Sequence, residues 1–156
     1  MKGVIDVGIR IRLEIDPDAE EEIVIRCKAP SDEIMRIQSI ISSELRELEL
    51  TLGDDTYFVE TKKILFFETV GSKTAAHTKK EMYYSDKKLY ELEAILPSCF
   101  MRVSKSCIVN TLAISSIRRE LTGICEARFG ETAKKIFISR SYYKAFKDKI
   151  NEMRLR

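Results

Sequence analysis

The chain has 156 residues, 44% of them apolar and 33% charged, with a formal net charge of +2; that is enough apolar content for a real core and excludes a disordered chain. The small net charge hides a split: residues 1–55 carry 7 Lys/Arg against 14 Asp/Glu, or −7, and residues 56–156 carry 20 against 11, or +9. No apolar run approaches the roughly 18 residues of a membrane span, and Asp6, Arg10 and Arg12 interrupt any leader-like stretch, so a cytoplasmic location is expected.

In chain order, Val7, Ile9, Ile11, Leu13 and Ile15 alternate with polar residues as in a strand. Asp16-Pro17-Asp18 reads as a turn and 22–27 as a second strand, giving an antiparallel hairpin. Ser31 is placed to cap a helix whose apolar stripe is Ile34, Ile37, Ile41 and Leu45. From residue 47 the pattern turns to β. Strands are expected at 48–52, 57–60, 64–70, 74–78 and 82–84, with turns at Gly53-Asp54-Asp55 and Gly71-Ser72-Lys73. Ser85 then caps a helix carrying Leu89, Leu92 and Ile95, stopped by Pro97. Further strands follow at 107–110, 114–121, 123–129 and 135–139. The tail from 141 to 156 reads as a basic amphipathic helix with Tyr142, Phe146, Ile150 and Met153 inward.

Few residues carry chemistry. The four cysteines include no Cys-x-x-Cys pair and His77 is the only histidine, so neither a metal nor a cofactor is expected, and buried, reduced thiols are. The chain has no Gly-x-Gly-x-x-Gly, Walker loop, His-Glu-x-x-His or nucleophile elbow, and an enzyme is not expected. His77 reads as a surface strand residue and Asn110 as a turn-former. The aromatic residues Phe66, Phe67, Tyr83, Tyr84 and Phe100 read as core. The informative stretch is Phe100-Met101-Arg102-Val103-Ser104-Lys105-Ser106-Cys107-Ile108-Val109-Asn110, where cationic and hydroxyl residues alternate with apolar ones. It reads either as a backbone track holding Arg102 and Lys105 toward a nucleic acid, or as a charged edge strand that discourages aggregation.

Ile64-Leu65-Phe66-Phe67-Glu68, Leu89-Tyr90-Glu91-Leu92-Glu93 with Leu96-Pro97, the segment from Phe100 to Asn110, Ile114-Ser115-Ser116-Ile117 and Ile138-Ser139-Arg140-Ser141-Tyr142 follow one another in an order that resembles a LytTR-type DNA-binding domain over roughly residues 57–150. The resemblance implies a mainly antiparallel β domain, placed here over 51–156; with the β-hairpin plus helix unit read from the pattern of residues 1–50, for regulation or dimerisation, the expected fold is α+β, mainly β. The resemblance also implies a transcription regulator that docks on double-stranded DNA without a recognition helix, inter-strand loops entering the major groove at repeated half-sites, with a homodimer at least on DNA. About 55 residues precede the match, too few for a receiver domain, so the chain is similar to short stand-alone regulators, some of which pair with a membrane inhibitor protein.

Carried over by position, three loops are implied to contact bases: one with Lys73 and Thr74, one from Arg102 through Ser104, Lys105 and Ser106, and one with Arg140 and Ser141. The chemistry fits. Arg140 and Lys105 can donate to guanine O6 and N7, and Ser104, Ser106, Ser139 and Ser141 to phosphate. Lys73, Lys134, Lys135 and Lys144 are plausible phosphate neighbours. Arg102 has a second use, bracing Glu68 or a backbone carbonyl. The competing function is a protein–protein module acting through the acidic N-terminal unit.

Overall fold

The structure is a computed structural model and describes residues 11–20, 22–44 and 46–154. The elements are α1 (Asp32–Glu44), β1 (Glu47–Leu52), β2 (Asp55–Glu60), β3 (Phe66–Val70), β4 (Lys73–His77), β5 (Met82–Ser85), α2 (Leu89–Ile95), β6 (Phe100–Ser104), β7 (Cys107–Asn110), β8 (Ser116–Arg119), β9 (Cys125–Arg128), β10 (Lys135–Ile138) and α3 (Arg140–Met153). Short 3-10 turns at Thr61–Lys63 and Thr111–Ala113 lead into β3 and β8. This is an α+β fold, mainly β, and every strand pair is antiparallel.

Seven strands form one sheet in the order β2-β1-β5-β4-β3-β7-β6, and β10-β9-β8 form a second. The period-2 pattern sends alternate residues of the large sheet into two separate cores. Phe66, Cys107 and Val109 face one core with Val103, the small sheet's Cys125, Ala127 and Ile136, and Phe146 of α3. Phe67, Ala76 and Ile108 face the other with Leu50, Leu89, Leu92 and Met153. The central strands are therefore covered on both sides, and β4 is buried from Thr74 to His77.

Two-residue hairpin loops need a positive φ where they follow the mirror-image turn types, and glycine provides it. Gly53 (φ 62°) and Gly71 (φ 61°) sit there in the β1–β2 and β3–β4 turns. The Lys105-Ser106 turn between β6 and β7 has no glycine, and no described non-glycine residue takes positive φ. Its register instead shifts between Arg102 and Ser104, a bulge that absorbs the mismatch in twist.

Three expectations change. The described residues 11–15 and 22–27 form no strand, although the Asp16–Ala19 turn between them closes as expected; Val7 and Ile9 lie outside the described residues. The alternation is genuine, but Ile11 (98% exposed), Leu13 and Ile15 meet no neighbouring strand that would repay ordering them. Ser31 accepts a hydrogen bond from the Ile34 amide at 3.3 Å, as a cap should. On α1, however, the fully buried residue is Ser39, bonded to Ser98, while Ile34, Ile37 and Ile41 are half-buried. Leu45 lies outside the described residues. Finally, α2 starts three residues beyond the expected cap: Ser85 turns the chain by accepting from the Lys87 amide, and Glu91 accepts from the Lys88 amide at 2.7 Å.

Candidate nucleic-acid interface

Antiparallel register decides which turns share an end of the sheet. Strand β3 runs toward Val70, and its Glu68 lies opposite Cys107 at the start of β7. The Gly71-Ser72 turn and the Lys105-Ser106 turn therefore project from the same end. The Ser139 amide donates to the Val103 carbonyl at 2.9 Å, which seats the end of β10 and the start of α3 beside the same tip of β6. Pairing of Ile138 with Cys125, and of Cys125 with Arg119, brings the β8–β9 turn there as well. Lys73, Lys105 and Arg140, 67 positions apart at the extremes, thus gather at one end of the molecule.

Each side chain has a distinct setting. Lys105 is exposed and its ammonium has no partner among the described residues. Arg102 spends its guanidinium on its own loop: Nε donates to the Ser104 carbonyl at 3.0 Å and one terminal nitrogen to the Lys105 carbonyl at 2.6 Å. The other terminal nitrogen pairs with Glu93 of α2 at 2.7 Å. With its side chain only 22% exposed, Arg102 is a brace that fixes where Lys105 points; Glu68 is not its partner. Ser106 donates its amide to the Ser104 hydroxyl at 3.2 Å, and its carbonyl accepts from Thr69 at 2.9 Å, tying the turn to β3.

Arg140 is exposed at the first position of α3 and donates to the Thr122 carbonyl of the β8–β9 turn. A Cβ on Gly123 would lie 3.5 Å from its Nε, so the turn and the arginine stem fit closely. Ser141 is exposed and its hydroxyl lies 3.3 Å from that of Ser139. Lys73 is exposed and stacks its ammonium over Tyr84 at 5.3 Å. Its neighbour Thr74 is 3% exposed, because β4 is central and covered on both faces, so that side chain is not available to a base.

Other expected residues lie elsewhere. Lys134 precedes β10, at the opposite end, and its ammonium donates to the Thr78 and Glu81 carbonyls at 2.6 and 3.2 Å. Burial holds its pKa below the ordinary lysine value. Lys135 pairs with Glu126 at 3.4 Å, and Glu126 also takes Arg128 and, at 3.7 Å, Arg118. The hydrogen bond from Arg128 is the main reason the Glu126 carboxyl stays below the usual range. His77 is not a surface residue: it is 9% exposed, stacks on Phe66 at 4.2 Å and meets Glu68 at 2.8 Å. Cys99, Cys107 and Cys125 are buried, and burial pushes the Cys107 thiol up to about 12.

Residues that sequence reasoning passed over complete this end. Lys88 donates to the Ser72 carbonyl at 3.0 Å and steadies the Lys73 hairpin. Arg119 lies over the Tyr143 ring at 4.4 Å, joining β8 to α3. Glu93 anchors Arg102. The sequence carries no local signal for these pairings, which join residues 9 to 24 positions apart.

Comparison with known proteins agrees with this architecture. The LytTr DNA-binding domain model matches residues 54–151. An uncharacterized HTH-type transcriptional regulator of Staphylococcus aureus (strain bovine RF122 / ET3-1) is 28% identical over 120 residues, covering 74% of this chain and 81% of that protein. A counterpart from strain MRSA252 is 27% identical over the same share. In fold, the chain is similar to the LytTr DNA-binding domain of a Bacillus cereus protein described as a methyl-accepting/DNA response regulator, with a TM-score of 0.64 and 22% identity, covering 68% of this chain and 97% of that one. With the family model spanning well over half of its length, the chain belongs to the LytTr DNA-binding domain family.

Proposed function

We propose that this DNA-binding regulator recognises a specific double-stranded sequence by placing the Lys105-Ser106 turn, Arg140 and the Lys73 hairpin in the major groove of repeated half-sites. The observation that carries this reading is the common end of the sheet shared by these three basic positions. Lys105 and Arg140 are the base readers, since both are exposed and lysine or arginine donates well to guanine O6 and N7. Lys73, Ser106 and Ser141 face phosphate, and Lys144, one helical turn beyond Arg140, extends the same face of α3. Arg102 and Ser104 shape the turn. The S. aureus relatives are described as transcriptional regulators, which supports the same class.

Selection of bound duplexes from a random pool, followed by a salt titration, tests the proposal. A repeated motif should emerge. Lys105→Ala and Arg140→Ala should each cost about 1–3 kcal/mol at that motif and relax preference at one position per repeat. Loss of affinity that is uniform across sequences would remove both residues from base reading.

A second reading concerns the N-terminal unit. Ile11, Leu13, Ile15, Ile23 and Val24 are exposed beside α1 and have no strand to pair with among the described residues. Strand-type alternation without a partner is the pattern of a segment completed by another chain. We assign that partner as a second copy, which two adjacent half-sites would also require; a membrane inhibitor protein is the competing occupant.

A further inference from the structure

We propose that the cleft at the Thr78–Glu81 end of the sheet, opposite the Lys105 turn, binds an organic anion with an apolar body. It is an open cleft of about 890 Å³ between β2 with the Thr61–Lys63 turn, the β4–β5 turn and the Thr111–Ala113 turn, within the range of small-molecule sites. Its floor is where the two cores meet at the end of the sheet. Leu65, Ile114 and Phe129 come from one core and Val59 and Tyr83 from the other; Val59, Leu65, Ile114 and Phe129 are almost fully packed, so the apolar surface open to a guest is chiefly that of Tyr57, Phe58 and Tyr83. Tyr57 and Tyr83 form one wall, their rings 5.3 Å apart and tilted, an arrangement that leaves a flat apolar guest an aromatic surface to rest on.

The rim is cationic. Lys62, Lys63, Lys79 and Lys80 line the cleft against one carboxylate, Glu81. Lys62 and Lys63 pair with Glu60 at 3.1 and 2.8 Å. Lys79 and Lys80 are exposed and, among the described residues, engaged with no acidic group. The loop that carries them is held rigid. The Thr78 amide donates to the Glu81 carbonyl at 2.9 Å, the Glu81 amide donates to the Thr78 hydroxyl at 3.0 Å, and Lys134 donates to both the Thr78 and the Glu81 carbonyls. Apolar floor, aromatic wall and two uncommitted ammonium groups on a fixed turn suit a ligand with an apolar ring or chain and one carboxylate, sulfonate or phosphate. This site is independent of the DNA reading, since its residues lie at the other end of the sheet.

Three probes that share one ring and differ in charge test the proposal on the full chain: naphthoate, naphthylmethanol and naphthylmethylammonium, followed by amide NMR. Naphthoate should bind saturably and shift the amides of Thr78–Glu81, Leu112–Ser115 and Gly130, naphthylmethanol more weakly, and the ammonium compound not at all. Lys79→Glu with Lys80→Glu, both at exposed positions, should weaken naphthoate by about tenfold and leave naphthylmethanol within about twofold. Equal binding of all three probes, shifts confined to the Ile23–Ile41 surface, or an unchanged naphthoate affinity in the double variant would overturn the proposal. So would displacement of naphthoate by duplex DNA with shifts at Lys79 and Lys80, which would assign these lysines to nucleic acid.

Discussion

Arg102 and Lys105 stand three positions apart with the same formal charge, yet the structure gives them different work. Arginine's planar fork can satisfy two carbonyls and a carboxylate at once, and Arg102 does so with Ser104, Lys105 and Glu93. A lysine there would keep the charge and lose the fork. Arg102→Lys should therefore cost about 1–2 kcal/mol of specific DNA affinity while leaving the salt dependence of binding unchanged, because no phosphate contact is lost. A salt slope that falls by about one unit would show that Arg102 touches phosphate directly.

His77 gives a pH prediction. Burial lowers its pKa below the ordinary 6.5, and the Glu68 carboxylate opposes that only in part. The unfolded chain thus binds a proton that the folded chain resists. Stability from this group is fully present above about pH 6.5 and is lost as the pH falls through the depressed value. The denaturation midpoint should drop between about pH 7 and pH 5, and His77→Phe, which can keep the stack on Phe66, should flatten that drop. An identical pH profile in the variant would put the acid sensitivity elsewhere.

Among the elements, α3 links the ends of the fold. Its first residue, Arg140, rests on the β8–β9 turn, and Phe146 and Met153 enter the two different cores. Its C-cap, Arg154, donates to the Thr111, Leu112 and Ile114 carbonyls. Those carbonyls belong to the turn that Asn110 opens by accepting from the Leu112 amide at 3.1 Å. Arg154→Ala should destabilise the fold by about 1–3 kcal/mol, read as a lower denaturation midpoint, with the pattern of preferred DNA sequences unchanged. Altered base preference would mean that α3 transmits strain to Arg140. The helices α1, α2 and α3 are separated by strands throughout, so no helix-turn-helix exists among the described residues.

Taken whole, the molecule places its basic turns at one end, the candidate anion cleft at the other, and an incompletely covered N-terminal segment beside α1. That helix packs on α3 and on the Thr61–Lys63 turn and bonds through Ser39 to Ser98, so it is part of the folded body, and β1 already continues across residue 50. Removing residues 1–30 keeps α1 in place and tests the exposed segment alone. If a second copy covers that segment, sedimentation should show a dimer for the full chain and a monomer for the shortened one, with weaker binding to paired half-sites and unchanged binding to a single one. No helix among the described residues is long and apolar enough to cross a membrane.

Periodicity and turn chemistry alone located nearly every element between 47 and 153 to within a few residues, because strand alternation, glycine at hairpin turns and the 3.6-residue helix stripe are properties of neighbouring residues. That information left Lys105 on a backbone track or a charged edge strand; the family resemblance implied loops at Lys105 and Arg140, and Arg140 is the first residue of α3. The local pattern could not separate Lys73 from Thr74, or find His77 in the interior. Strand β4 is fourth of the seven and covered on both faces, so alternation no longer distinguishes inside from outside. Nor could it reveal that Arg102 braces and Lys105 reaches, since the deciding partner is Glu93 on another element. At 11–15 and 22–27 the strand pattern was real and the strand absent, for a sheet needs a partner as well as a pattern. Local preferences act over a few residues, whereas burial, register and ion pairing depend on which distant segments the folded chain brings together.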